Sequence, residues 1–451
     1  MKTIQTDVLI VGAGFAGIAA AKKLKDANKD FVLIEARDRI GGRTLTETLD
    51  CGVTVDLGAK WAGPTQHLLW EWIRETDTES YETYDSGKNL LKFGEKISSY
   101  SGVIPKIDPI SLVDLGIAIE KMNKLSKGIP LENPWDHPKA KELDSMTLAT
   151  WMDKNIWTKK ARHLFEIGIQ TVFAAEASEI SLLFALFYFQ SGDNMDTLIS
   201  IKNGAQQTIL KGGMQGLAKK IAEPMMGNIH FNQALRKITQ HEKGLIAETD
   251  HLRIEANKCI LALAPVLLNQ IQFDPILPQQ KAQLIQRMPM GAAMKCYCIY
   301  PTPFWRELGL SGQIVSDEFP VKVTFDVGHS DSDKGIMLVF VEGNDARNFI
   351  DVEPEKRKKM ILERLVKVFG EKAANPLEYT DKCWTGEEYS RGCYTGLMAP
   401  NTMTQFGQYL RTPFMHLHFA GTETATRWNG YLDGAISSGY REAELVMNYE
   451  L

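Results

Sequence analysis

"DVLIVGAGFAG", Asp7 to Gly17, is the stretch whose reading decides the fold. Val8 to Val11 are apolar and mostly β-branched, the composition of a strand buried on both faces of a parallel sheet. Gly12, Gly14 and Gly17 follow as G-x-G-x-x-G. The first glycine permits a tight turn, the second lets backbone approach a pyrophosphate, and the third lets the next helix pack close to the strand. "IAAAKKLKDAN" then continues with helical spacing, and the free N–H groups at its start point at the phosphates.

That fingerprint has its full context. A second apolar run, "DFVLIEA", ends in Glu35, about 20 residues on. A carboxylate there accepts hydrogen bonds from ribose hydroxyls and repels a 2′-phosphate, which disfavours NADP. "EARDRIGGRT", Glu35 to Thr44, adds a second flexible turn at Gly41 and Gly42. Arg37 and Arg43 bring fixed positive charge suited to a diphosphate. A nicotinamide dinucleotide needs no such second turn, so FAD is the better fit.

The rest of the chain sets bounds. Its 451 residues exceed one simple core, and 44% hydrophobic with 24% charged residues is ordinary for a soluble globular protein. A net charge of −5 carries no nucleic-acid footprint. The cysteines, Cys51, Cys259, Cys296, Cys298, Cys383 and Cys393, are too sparse for a disulfide scaffold. Cys296 and Cys298 share one side of a strand-like run, "MKCYCIY", with no matching His or Cys pair nearby, and no H-E-x-x-H spacing occurs. No metal is expected. The glycine-broken N-terminal stretch lacks the basic start of a signal peptide. "SLLFALFYF", Ser181 to Phe189, is short of the roughly 18–20 residues of a membrane span and reads as a buried helix. A cytoplasmic protein is the default expectation.

"GAGFAG…EARDRIGGR" resembles the flavin-containing amine oxidases, and the likeness continues along the chain. "VDLGAKWAGPTQ" (Val55–Gln66) is similar to the loop that passes over the flavin edge in that family. "NGAQQTILKGGMQGLAKKIA" is similar to the segment returning to the nucleotide domain, and "FAGTETATRWNGYLDGAISSGYREAELV" to its last helix. "GAAMKCYCIYPTPFWR", "YSRGCYTG" and "TATRWNGYLDGA" resemble the monoamine oxidases in particular. The resemblance implies an α/β fold with a Rossmann-like FAD-binding domain and an interleaved α+β substrate-binding domain. The first would take residues 1–80, 210–285 and 390–451, the second 81–209 and 286–389. Mitochondrial relatives continue into a C-terminal membrane anchor. This chain ends at Leu451, so a protein without that anchor is expected, with a homodimer as an open option.

The same resemblance assigns residues. FAD would contact Gly12, Gly14, Gly17, Glu35, Arg37, Gly41, Gly42, Arg43, Thr44, Leu235, Trp384, Cys393, Gly421, Glu423 and Trp428. Tyr394 and Tyr431 match the family's aromatic cage, whose π faces attract an amine. Lys295, in an apolar strand pattern where a lysine is costly, matches the lysine that holds a water near the flavin and assists reoxidation by O2. Cys393 is by composition a small buried residue; by resemblance it forms a thioether to the flavin 8α carbon. Arg391 departs from the family, where glycine is common. Gly168, Thr171, Val172, Ile199, Gln206, Val323 and Phe340 would line the cavity, with Gly168, Val172 and Val323 opening it for bulkier aryl amines. The implied reaction turns an amine into an imine, then an aldehyde or ketone, while O2 becomes hydrogen peroxide. Alternatives stay open: a polyamine or diamine oxidase, which would need cavity carboxylates; an L-amino-acid oxidase, for which Arg427 is the candidate carboxylate partner; a desaturase or porphyrinogen oxidase; or a flavoprotein without catalysis.

Overall fold

The Lys2–Val11 strand sits inside an eight-stranded mixed sheet, seen in a computed structural model that describes residues 2–448. Val8 to Val11 pair in parallel with Phe31–Ile34 on one side and with Lys258–Leu261 on the other. With neighbours on both edges and helices on its face, this segment is buried, as its unbroken apolar run requires. Ile229–His230 extends the sheet beyond Phe31–Ile34, and Leu417–Ala420 pairs in parallel with the Leu252–Ala262 strand. Helix Phe15–Asp26 crosses this sheet, and helix Leu432–Asn448 packs against it. All eight strands come from three separate stretches of chain, 2–34, 229–274 and 417–420.

A second, seven-stranded sheet is drawn from the stretches between them. Its order is Glu378–Cys383, Ala293–Tyr300, Gly335–Glu342, Val323–Asp326, Leu310–Ser316, Lys88–Phe93, Lys96–Tyr100. Ala293–Tyr300 is buried at every position. Its period of two splits the side chains: Tyr297 and Ile299 join the main core, while Cys296 and Cys298 join a separate apolar cluster on the other face. The two cysteines are thus packing residues, and no group of three metal-ligating side chains exists among the described residues. Helices Lys159–Phe173 and Leu182–Ser191 supply the main core beneath Leu338 and Phe340. The Leu182–Phe189 segment is wholly buried, as its composition demands.

A short three-stranded sheet, Trp61–Ala62, Thr208–Leu210 and Ser80–Glu82, links the two halves. Its Trp61 stacks on Phe340 and meets Phe325 edge-on, both from the second sheet. Among the described residues no helix is long and apolar enough to cross a membrane. The expected outer boundaries at residues 1 and 451 fall outside the described residues.

Candidate active site

The strand-to-helix turn after Val11 opens the site. Gly12 has φ +101°, and a Cβ there would meet the Ala262 carbonyl oxygen at 2.9 Å. A Cβ on Gly17 would collide with the Gly12 carbonyl, so this glycine lets helix and turn touch. Helix Phe15–Asp26 starts at Gly14 without a side-chain cap, which leaves its first N–H groups free for an anion. Opposite lies the second turn, with Gly41 and Gly42 at φ +114° and +59°. Gly14 bridges to Gly41, and a Cβ on Gly42 would meet Gly14 Cα at 3.1 Å. Thr44 closes this turn, donating from both its amide and its hydroxyl to the Gly41 carbonyl. Glu35 is fixed by the Ala13 and Arg37 amides, which donate at 2.7 and 2.9 Å. Two opposed glycine turns, uncapped helix amides and a pinned carboxylate suit a diphosphate and a ribose, so the residues present fit FAD.

From there one cavity of about 270 Å³ runs inward. Its wall holds Gly12, Gly14, Glu35, Arg37, Gly41, Gly42, Arg43, Leu235 and Gly421 together with Trp384, Cys393, Lys295, Tyr394 and Tyr431. Thr171, Val172, Gln206 and Phe340 line it as well. Other expected residues stand behind the wall. Glu423 is buried and grips Arg43 through two bonds of 2.7 and 3.2 Å, while Arg43 also donates to the Tyr394 carbonyl at 2.8 Å. Trp428 meets the Tyr431 ring edge-on at 4.9 Å and donates to the Thr65 carbonyl, which fixes the tyrosine from the rear. Gly168 faces Met195, Val323 is the strand partner of Phe340, and Ile199 ends the Met195–Ile199 helix.

The reacting end is apolar and sparsely charged. Lys295 Nζ donates to the Asp56 and Gly58 carbonyls and lies beside the Trp61 and Phe340 rings. Burial pushes its ammonium down to about 7, and the charge of Lys60 pushes the same way. Burial likewise raises the Tyr394 and Tyr431 phenols well above their ordinary value, so both stay protonated. It lifts the Cys393 thiol to about 12, with Lys295 and Arg43 opposing. The Trp384 indole donates to the Leu57 carbonyl at 2.9 Å. Gln206 donates to the Leu198 carbonyl, but its own oxygen is buried with no partner, an acceptor left over beside the cavity. Arg391 holds φ +57°, the left-handed region that explains why glycine suits this position. Arg427 pairs with Asp193 at 2.8 Å on the exposed side, off the cavity wall.

Several wall residues escape a reading of the sequence: Lys60, Trp61, Tyr188 and Phe325. Trp61 and Lys60 lie in the quoted "VDLGAKWAGPTQ" block, where the signal was position alone. Phe325 follows from Val323 only once strand pairing is known, and Tyr188 reads as core because eight neighbours in its helix are apolar or buried with it.

Comparison with known proteins settles the class. The profile of the flavin containing amine oxidoreductases matches residues 15–447. The chain belongs to this family. It is 38% identical, over 98% of its length and 96% of the relative's, to the putative flavin-containing monoamine oxidase AofH of Mycobacterium tuberculosis. Among solved structures, putrescine oxidase bound to putrescine superposes with a TM-score of 0.94 at 31% identity, covering 99% of this chain and 100% of that one. Cyclohexylamine oxidase from Brevibacterium oxydans IH-35A covers 98% of each chain at 30% identity. This amine oxidase is therefore an FAD-dependent oxidoreductase of mixed helix and sheet architecture that oxidises amines through its flavin.

Proposed function

We propose that this amine oxidase acts on monoamines carrying a bulky apolar or aryl group, and that Tyr394 and Tyr431 hold the amine nitrogen. The observation that carries the reading is the joint presence of both tyrosines, Lys295 and Cys393 on the wall of one cavity that begins at the nucleotide turn. When bound, FAD takes two electrons and a hydrogen from the amine α carbon. The residues do the rest. Two ring faces favour the amine electrostatically and narrow its approach, so the reacting C–H bond is presented in one geometry. The leftover Gln206 oxygen accepts an amine N–H. Lys295, neutral in good part near pH 7, holds water against the Asp56–Gly58 segment and assists the return of electrons to O2, which leaves as hydrogen peroxide. Residues 1–80, 210–285 and 390–451 make up the FAD-binding domain, which also supplies Tyr394 and Tyr431, and residues 81–209 and 286–389 the substrate-binding domain, which also supplies Lys295 and Trp384.

Glu35, at the nucleotide end, is the only carboxylate on the cavity wall among the described residues. A second ammonium would meet no carboxylate on the wall beside the tyrosines, which argues for monoamines over diamines such as putrescine. With Arg427 turned outward and Arg43 committed to Glu423 and the Tyr394 carbonyl, no arginine among the described residues is left beside the tyrosines for a substrate carboxylate either. Peroxide release across an amine panel tests this: turnover of arylalkyl amines is expected to exceed that of diamines and short aliphatic amines. A preference for diamines would refute it.

Cys393 is proposed as the covalent link to the flavin 8α carbon. It is buried against Ala174, Ala293 and Trp384 on the cavity wall. Yellow colour retained in an acid-precipitated pellet, and lost in Cys393→Ala, is the expected result. Colour in the wild-type supernatant would leave the thiol as a packing neighbour.

A further inference from the structure

Glu342 closes the Gly335–Glu342 strand, only 5% exposed, in a core with no cation paired to it among the described residues. The strand's period of two puts it on the side of Phe340, which lines the cavity. The Tyr394 phenol donates to Glu342 Oε1 at 2.7 Å. A buried carboxyl without a counter-ion is costly unless something uses it. Its nearest cation candidates are committed elsewhere: Lys322 to Asp345 at 2.6 Å and to Gln170, and Lys295 to backbone carbonyls.

We infer that Glu342 is a positioning residue for the amine: its carboxylate locks the Tyr394 ring in the cage and, as an anion behind that ring, favours the amine nitrogen in front of it. This rests on the cage reading above. A hydrogen bond from a phenol to an anion is among the strong ones, and it restricts the ring about both side-chain torsions. It also leaves more negative charge on the phenol, and so on the face that meets the amine.

Burial pushes the Glu342 carboxyl up to about 7, against the bonds from Tyr394 and Thr171 and the charges of Lys322 and Lys295. The groups facing it are therefore Tyr394 and Cys393 from the cofactor loop, Thr171 from helix Lys159–Phe173, Lys295 from the neighbouring strand, and Lys322. The carboxylate form, which accepts the phenol, grows as pH rises through about 7. Amine capture should rise with it.

The test is kcat/KM against pH for the flavin-loaded enzyme, its Glu342→Gln and Glu342→Asp variants, and Tyr394→Phe and Tyr431→Phe. Gln keeps size and an acceptor but cannot carry charge. Glu342→Gln is expected to lower kcat/KM about ten-fold, mainly through KM, and to remove the rising limb near neutrality. Glu342→Asp restores the limb. In a Tyr394→Phe background the Gln substitution should change nothing further, because the phenol it acts through is gone. Unchanged flavin absorbance shows that each variant is folded and loaded. The inference is overturned if the limb survives in Glu342→Gln and vanishes in Lys295→Met, or if the Glu342 and Tyr394 effects simply add. If neither tyrosine variant changes kcat/KM, it is the cage reading that fails. If the tyrosine variants matter and Glu342→Gln does not, only the role of Glu342 is lost.

Discussion

Lys295 sits where burial works against charge. Its ammonium, ordinarily at 10.5, is pushed to about 7 by burial and by Lys60, although two carbonyls accept from it. The sign of the linkage follows. Between those values the unfolded chain holds a proton that the folded enzyme releases, so this lysine opposes folding increasingly as pH falls from 10.5 towards 7. Above 10.5 it is neutral in both states and neither helps nor hinders. Lys295→Met is therefore expected to gain in thermal midpoint relative to the wild type as pH is lowered across that window. A midpoint difference that stays flat with pH would show that Lys295 is charged in the folded enzyme. The neighbouring Lys60 and Asp56, 3.9 Å apart, are each drawn towards the neutral form by burial and held towards the charged form by the other.

At the scale of elements, the nucleotide turn depends on how closely two helices approach each other. Gly439 in helix Leu432–Asn448 has no room for a side chain: a Cβ would collide with the Ala16 carbonyl and meet Ala19 Cβ at 2.8 Å. Helix Phe15–Asp26 is alanine-rich on the side it offers, which lets the backbones touch. That contact holds the uncapped helix start, and with it the free amides, in front of the diphosphate position. Gly439→Val overfills the crossing, a change that costs about 1–3 kcal/mol or more in a packed interior. The expected outcome is a protein purified with less FAD per chain, read from the ratio of flavin to protein absorbance. Full FAD content with unaltered thermal midpoint would show that the crossing relaxes freely.

Across the whole molecule, Arg43 joins three stretches far apart in sequence. It follows the second glycine turn, bonds Glu423 from near the C-terminal helix, and bonds the Tyr394 carbonyl in the cofactor loop. Glu423 is 2% exposed, so removing its partner leaves a buried carboxylate unpaired. Arg43→Met is expected to cost about 3 kcal/mol, seen as a lower thermal midpoint. Arg43→Lys should rescue little, because an ammonium cannot make the paired bonds of a guanidinium. A Lys variant equal to wild type would reduce the link to simple charge.

Local order and cofactor class were legible in the chain because they rest on short-range rules. A β-branched run must be buried, a G-x-G-x-x-G turn must curl tightly, and alternation along "MKCYCIY" must send neighbours to opposite faces. The two glycine turns of the nucleotide end, between Gly12 and Thr44, are readable for the same reason, whereas the wall that residues 233–236 and 262–271 add is not. The amine end was not, since its wall is assembled from segments between residues 58 and 435. Nothing in "GIMLVFVEG" says that Glu342 lies under Tyr394, 52 residues away, and nothing around Gly168 says that it faces Met195. Such facts depend on which strand pairs with which and on helix rotation. Those are settled by packing of the whole core, where each side chain's place is fixed by partners distant in sequence.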